Sequence, residues 1–197
     1  MIDYIRGNIV ELTPTMMVLD NQGIGYSIEI SLQTFAAFEH KTEAKVYIYH
    51  HLQNNSDVEL FYGFADKDER ALFNLLIGVS GVGVNTARVI LSSFSTDEFR
   101  SAILSENVSA IKSVKGIGLK TAQRMILELK DKITKGEGSA TETFFALDKN
   151  AVLEEASSAL QMLGFSKQNV IKVLQQLLKS NPNAKVEELI KSALQML

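Results

Sequence analysis

The 197-residue chain contains no cysteine, so neither disulfides nor thiolate metal sites are open to it. No apolar run reaches the roughly eighteen residues that a membrane-spanning helix requires. Met1-Ile2-Asp3-Tyr4 carries no signal-peptide pattern, so a cytoplasmic location is expected. No nucleophile and base can be paired from the spacing, and no acidic cluster has metal-ligand spacing. His50 and His51 are neighbours in an extended run and point to opposite faces, which leaves only His40 to join either one. No catalytic residue, cofactor or metal is therefore expected. An excess of positive charge is lacking as well: the net charge is −3, which taken alone argues against a nucleic-acid partner.

The distribution of charge along the chain points the other way. Residues 1–64 hold three Lys/Arg against eight Asp/Glu, a net −5; residues 65–135 hold eleven against eight, a net +3; residues 136–197 hold six against seven, a net −1. Only the middle region is basic, and Lys112, Lys115, Lys120, Arg124, Lys130, Lys132 and Lys135 crowd its second half.

That region also contains a repeat. Val79-Ser80-Gly81-Val82-Gly83-Val84-Asn85-Thr86-Ala87 recurs 35 positions later as Val114-Lys115-Gly116-Ile117-Gly118-Leu119-Lys120-Thr121-Ala122. Each copy reads apolar-x-Gly-apolar-Gly-x-polar-Thr-Ala between helix-forming segments, the pattern of a helix-hairpin-helix. Its glycines reach backbone angles closed to other residues and hold no side chain against an approaching phosphate. The following helix starts with free N–H groups and the positive end of its dipole. A dinucleotide-binding fingerprint would follow a strand and need a third glycine where Thr86 stands, whereas Gly81 follows the helical run Asp68–Ile77. A P-loop would need Gly-Lys-Thr, but Leu119 separates Gly118 from Lys120. The plain alternative, two tight turns that bind nothing, leaves the repeat and its basic flank unexplained. The candidate DNA contacts are Gly81, Val82, Gly83, Asn85, Thr86 and Arg88 in the first copy. In the second they are Lys115, Gly116, Ile117 and Gly118.

Hydrophobic period places these motifs. Tyr4–Glu11, Thr15–Asp20, Gly25–Ile30, Ala44–His50 and Val58–Gly63 read as strands, with hairpin turns at Thr13-Pro14-Thr15 and Asn21-Gln22-Gly23 and a short helix at Ser31–Phe38. Five strands within 1–64 fit a barrel of the oligonucleotide-binding type, although periodicity alone does not separate it from other small barrels. From Asp66 the period turns helical: Asp66–Gly78, Asn85–Phe94, Thr96–Ser105, Val108–Val114 and Lys120–Thr134, with a capping box at Ser95 and Glu98. Residues 136–148 are polar, bear glycine and lack pattern, and read as a flexible linker. Residues 149–197 read as a three-helix bundle, near Asn150–Met162, Lys167–Lys179 and Val186–Met196. The expected class is α+β multidomain: barrel, tandem helix-hairpin-helix, small UBA-like bundle.

This order of parts resembles the RuvA family, the Holliday-junction-binding subunits of the bacterial branch-migration machine. Ile5-Arg6-Gly7, Gly23-Ile24-Gly25-Tyr26, Leu60-Phe61-Tyr62-Gly63-Phe64, both hairpins and Leu127-Glu128-Leu129-Lys130-Asp131-Lys132 carry the likeness in order. The resemblance implies a noncatalytic homotetramer that holds a four-way junction open and nearly planar, or two such tetramers face to face on the DNA. Each subunit is expected to grip one arm through phosphates rather than bases, and Lys120, Thr121 and Arg124 match the family's phosphate-contacting positions after the second hairpin, which adds them to the candidate DNA contacts. The C-terminal module is expected to recruit the hexameric ATPase RuvB, and the RuvC junction resolvase is a further candidate partner. Leu163-Gly164-Phe165 is the candidate partner contact; its competing reading is a helix stop with Phe165 inside the bundle.

Three departures from the family pattern stand out. Asn85 occupies a position where many members have lysine, and Leu119 replaces another common cation. In the loop that carries a paired acidic pin in the family, this chain has Ser56-Asp57, so one acid is missing, and Glu59 is a candidate substitute. Two other functional classes stay open on the residues alone. One is a helix-hairpin-helix glycosylase or nuclease, for which Asp131, thirteen residues after Gly118, is the sole acid that could be pressed into a catalytic role. The other is a protein adaptor acting through the C-terminal bundle.

Overall fold

The computed structural model describes residues 2–52, 58–134, 149–181 and 184–197. The chain divides into two compact units, Met1–Thr141 and Glu142–Leu197. In the first, β1 (Tyr4–Thr13), β2 (Met16–Asn21), β3 (Ile24–Ile30), β4 (Glu43–Leu52) and β5 (Glu59–Phe64) close into a barrel in the order β1-β2-β3-β5-β4, and α1 (Leu32–Phe38) follows β3. All pairs are antiparallel except β3 with β5, giving the oligonucleotide-binding type of barrel. Alternation drives closure: Met17 and Leu19, Ile28 and Ile30, and Val46 and Ile48 point inward from successive strands, and Phe38 of α1 joins the same core. At Gly63 a Cβ would lie 2.5 Å from Ile28 and 2.6 Å from Val46, so that strand fits only without a side chain. The β2–β3 turn places Gln22 and Gly23 both at positive φ, the geometry that matches the twist of a two-residue hairpin.

The helices α2 (Lys67–Ile77), α3 (Val84–Ser93), α4 (Thr96–Leu104), α5 (Val108–Lys112) and α6 (Leu119–Thr134) build a second core. It does not stop at the barrel. Tyr62 and Phe64 of β5 are buried in it together with Leu72, Phe73 and Leu76, and the Phe73 ring lies 4.9 Å from Phe64 and 5.6 Å from Tyr62. Barrel and hairpins thus share packing across residue 64. The capping box expected at Ser95 and Glu98 is present at the start of α4.

One polar cluster interrupts this packing. Glu69 of α2 is fully buried, accepts from the Ser31 and Thr34 hydroxyls and from the Ala65 N–H, and its own N–H is capped by Asp66. One carboxyl therefore ties α1, the end of β5 and α2 together. Burial pushes its pKa up, and the hydrogen bonds from Ser31, Thr34 and Ala65 offset only part of that rise.

In the second unit α7 (Lys149–Met162), α8 (Lys167–Ser180) and α9 (Val186–Leu194) surround Ala156, Leu160, Val170, Leu174, Leu189 and Ala193. Among the described residues no helix is long and apolar enough to cross a membrane. The stretch read as a linker lies outside the described residues.

Candidate nucleic-acid interface

The two hairpins have one geometry. After α2 the chain turns through Gly81 at φ +91°, and after α5 through Gly116, also at φ +91°. An L-residue with a Cβ meets its own carbonyl there, at a cost of roughly 1–2 kcal/mol. In each turn the apolar residue between the glycines points inward. Val82 and Ile117 are both 5% exposed, and their N–H groups donate to Val79 O at 3.0 Å and Val114 O at 3.1 Å. Although expected among the DNA contacts, these two residues anchor the turns in the core.

The second glycine of each hairpin has a different reason to be there. Gly83 caps α3 at φ −88° with no side-chain hydrogen bond, a backbone any residue adopts, and Gly118 is likewise outside the left-handed region. A Cβ added to either would find nothing within 4 Å. The first helical bonds run from Ala87 N–H to Gly83 O at 2.9 Å and from Ala122 N–H to Gly118 O at 3.0 Å. The N–H groups of Val84, Asn85 and Thr86, and of Leu119, Lys120 and Thr121, precede those bonds and have no intrahelical acceptor. Each glycine therefore leaves open the approach to three amides at the positive end of a helix dipole.

The cations divide unequally. Lys112, Lys115 and Lys120 are exposed and make no ion pair among the described residues. Arg124 donates to Ser80 O at 3.3 Å, which brings the second hairpin's helix against the first hairpin's turn, and its Nε lies 4.0 Å from Glu128. Lys130 is held by Glu106. Arg88, expected to face DNA, instead pairs with Glu29 of β3 and reaches Thr15 O at 3.4 Å. Burial lowers its guanidinium pKa from the ordinary value. Asn85 accepts from the Tyr62 hydroxyl at 3.4 Å, a phenol whose own pKa burial and neighbouring Tyr49 push up. Leu119 is exposed at the mouth of the second hairpin.

The remaining candidates lie elsewhere. Ser56 and Asp57 are outside the described residues. Glu59 opens β5 opposite Leu52, and His50 Nε2 lies 3.2 Å from its carboxylate without the alignment of a hydrogen bond. His51 stacks on Tyr49, so the two histidines do diverge. Asp131 is exposed on α6, and among the described residues no group of three or more His, Asp or Glu could hold a metal ion. At the end of α7, Gly164 takes φ +98° and Phe165 packs against the bundle core, while Met162 and Leu163 are 89% and 60% exposed. Sequence reading missed Glu69 and the Arg88–Glu29 pair. Their partners lie 38 and 59 positions away, a separation that no local pattern signals.

Three domain families match the chain: the RuvA N terminal domain over residues 1–63, the SAM-like helix-hairpin-helix tandem over 73–131 and the RuvA C-terminal domain over 151–197. Among curated relatives, a Parabacteroides distasonis protein is 52% identical over 198 residues, a Bacteroides fragilis protein 49% over 203, and a Flavobacterium psychrophilum protein 41% over 203. Each match covers 100% of both chains, and each relative is described as a Holliday junction branch migration complex subunit RuvA. With barrel, paired hairpins and three-helix bundle in the same order, and relatives at these identities over its whole length, the chain belongs to the RuvA family.

Proposed function

We propose that this protein binds four-way DNA junctions as the noncatalytic subunit of a branch-migration complex, without reading base sequence. The observation that carries the reading is the pair of second glycines. Neither Gly83 nor Gly118 is bare for the sake of the fold, because each has an ordinary backbone and open space around its missing Cβ. What they leave room for comes from outside the chain, and three unbonded amides at a helix start suit a phosphate oxygen. Lys112, Lys115 and Lys120 beside the second hairpin add attraction that depends on charge alone.

In this reading four copies present their hairpins to the four arms, and the C-terminal bundle recruits the ATPase RuvB, which supplies the energy for migration. Met162 and Leu163 are the residues of that bundle best placed to meet the partner, since Phe165 is engaged in the core. The test uses a labelled four-way junction and a linear duplex of equal length in gel shift, with magnesium present and the strands checked for cleavage. Preferential binding of the junction with intact strands is expected. A fragment ending near Lys135 should bind junctions as well as the full chain does but fail to stimulate RuvB-driven migration. Strand scission would mean an enzyme, and full stimulation by the fragment would mean that the bundle has another role.

A further inference from the structure

Helix α3 is fastened to the barrel along a single face. Asn85, Arg88 and Ser92 stand at i, i+3 and i+7 and therefore share one side of the helix. They reach three different parts of the barrel: Asn85 the Tyr62 hydroxyl of β5, Arg88 the Glu29 carboxylate of β3 and Thr15 O, and Ser92 Oγ the Leu32 N–H of α1 at 3.1 Å. Helix α6 packs instead on α4 and α5, and among the described residues it makes no hydrogen bond or ion pair with the barrel. The charge inventory follows the same division. Arg88 is the only Lys or Arg in residues 79–93, and Glu29 neutralises it, whereas the second hairpin keeps Lys112, Lys115 and Lys120 exposed.

We infer that Arg88 and Glu29 form a positioning pair: they fix where the first hairpin's amides stand on the barrel, and Arg88 does not itself touch DNA. The two hairpins then do different work. The first is a rigid, nearly uncharged grip whose contribution is geometric. The second carries the charge and, with it, the salt dependence of binding. The inference rests on the junction-binding reading, and it accounts for the absence of lysine at Asn85, whose amide oxygen is the acceptor for Tyr62.

The test measures junction dissociation constants across a salt series for wild type, Arg88→Met, Glu29→Gln, the exchanged double variant Glu29→Arg/Arg88→Glu, and Lys120→Ala as the phosphate-binding control. Arg88→Met should weaken binding about fivefold, the upper range for a partly exposed pair, with the salt slope unchanged. Lys120→Ala should lower the slope by about 0.9 for each phosphate that is no longer neutralised. Glu29→Gln is the sharpest arm. Removing an acid beside DNA should tighten binding by simple attraction, whereas a positioning pair requires it to weaken binding by about the same fivefold. The exchanged variant should recover affinity over either single substitution. A smaller salt slope in Arg88→Met, or tighter binding by Glu29→Gln, would overturn the inference while leaving junction binding intact. A wild-type protein that does not bind junctions would instead overturn the functional reading on which it rests.

Discussion

Replacing Gly118 with valine is expected to weaken junction binding by about a hundredfold or more while leaving the melting temperature close to wild type. The valine side chain would stand over the amides of Leu119, Lys120 and Thr121, and losing even one or two hydrogen bonds to a charged phosphate removes about 3 kcal/mol. Nothing inside the protein resists the substitution, since the backbone is ordinary there and the space is empty. Gly116→Val should differ in one respect. Its φ of +91° strains any side chain, so this variant should lose binding and also roughly 1–2 kcal/mol of stability, a fall of roughly 2–8 °C. Isotherms and melts on the two variants separate clearance from conformation. If Gly118→Val binds like wild type, the amides behind that glycine are not the grip.

The second large effect is expected at the buried carboxyl. Glu69→Ala strips the Ser31 and Thr34 hydroxyls and the Ala65 N–H of their shared acceptor and opens a cavity between barrel and helices. The expected cost is about 3 kcal/mol or more, a fall of roughly 6–12 °C in melting temperature. Glu69→Gln keeps an acceptor and most of the volume, so it should lose less. The pH dependence has a definite sign. Burial is the largest influence and raises the folded-state pKa above the ordinary 4.5. Glu69 therefore contributes stability that is fully present below its unfolded pKa and is lost as pH rises through the folded one. As pH rises above the ordinary 4.5, the glutamine variant should gain on wild type, since it has no proton to lose. Melts that shift in the opposite direction would contradict the assignment of a raised pKa.

Most of the architecture can be read along the chain because its signals are local. The change from period two to period 3.6 near Asp66, the Gln22-Gly23 turn and the Ser95–Glu98 cap each involve neighbours within a few positions. The hairpins are legible for the same reason, since two glycines two apart, repeated, encode both the turn and the clearance. What each side chain does at the site is less legible. Val82 and Ile117 lie between bare glycines and look like part of the grip, yet hydrophobic burial turns both inward. Arg88 has the spacing of a phosphate ligand in the helix after a hairpin, yet an acid on β3 reaches it first. Glu69 reads as one more first-turn acid of α2 and proves to be a buried link to α1. In each case the deciding partner comes from another element, and only the closed fold brings it near.

A grip made of main-chain amides and exposed lysines meets phosphates and never base edges. The most direct measurement is a set of dissociation constants at one salt concentration for two four-way junctions with unrelated arm sequences and for the matching linear duplexes. The two junctions should bind equally within about twofold, because a phosphate grip makes no bidentate base contact, worth about 1–3 kcal/mol, that could separate them. Both should bind more tightly than either duplex. Junction affinities that differ about tenfold or more with arm sequence, or a duplex bound as tightly as the junction of the same sequence, would contradict a phosphate grip arranged for four arms.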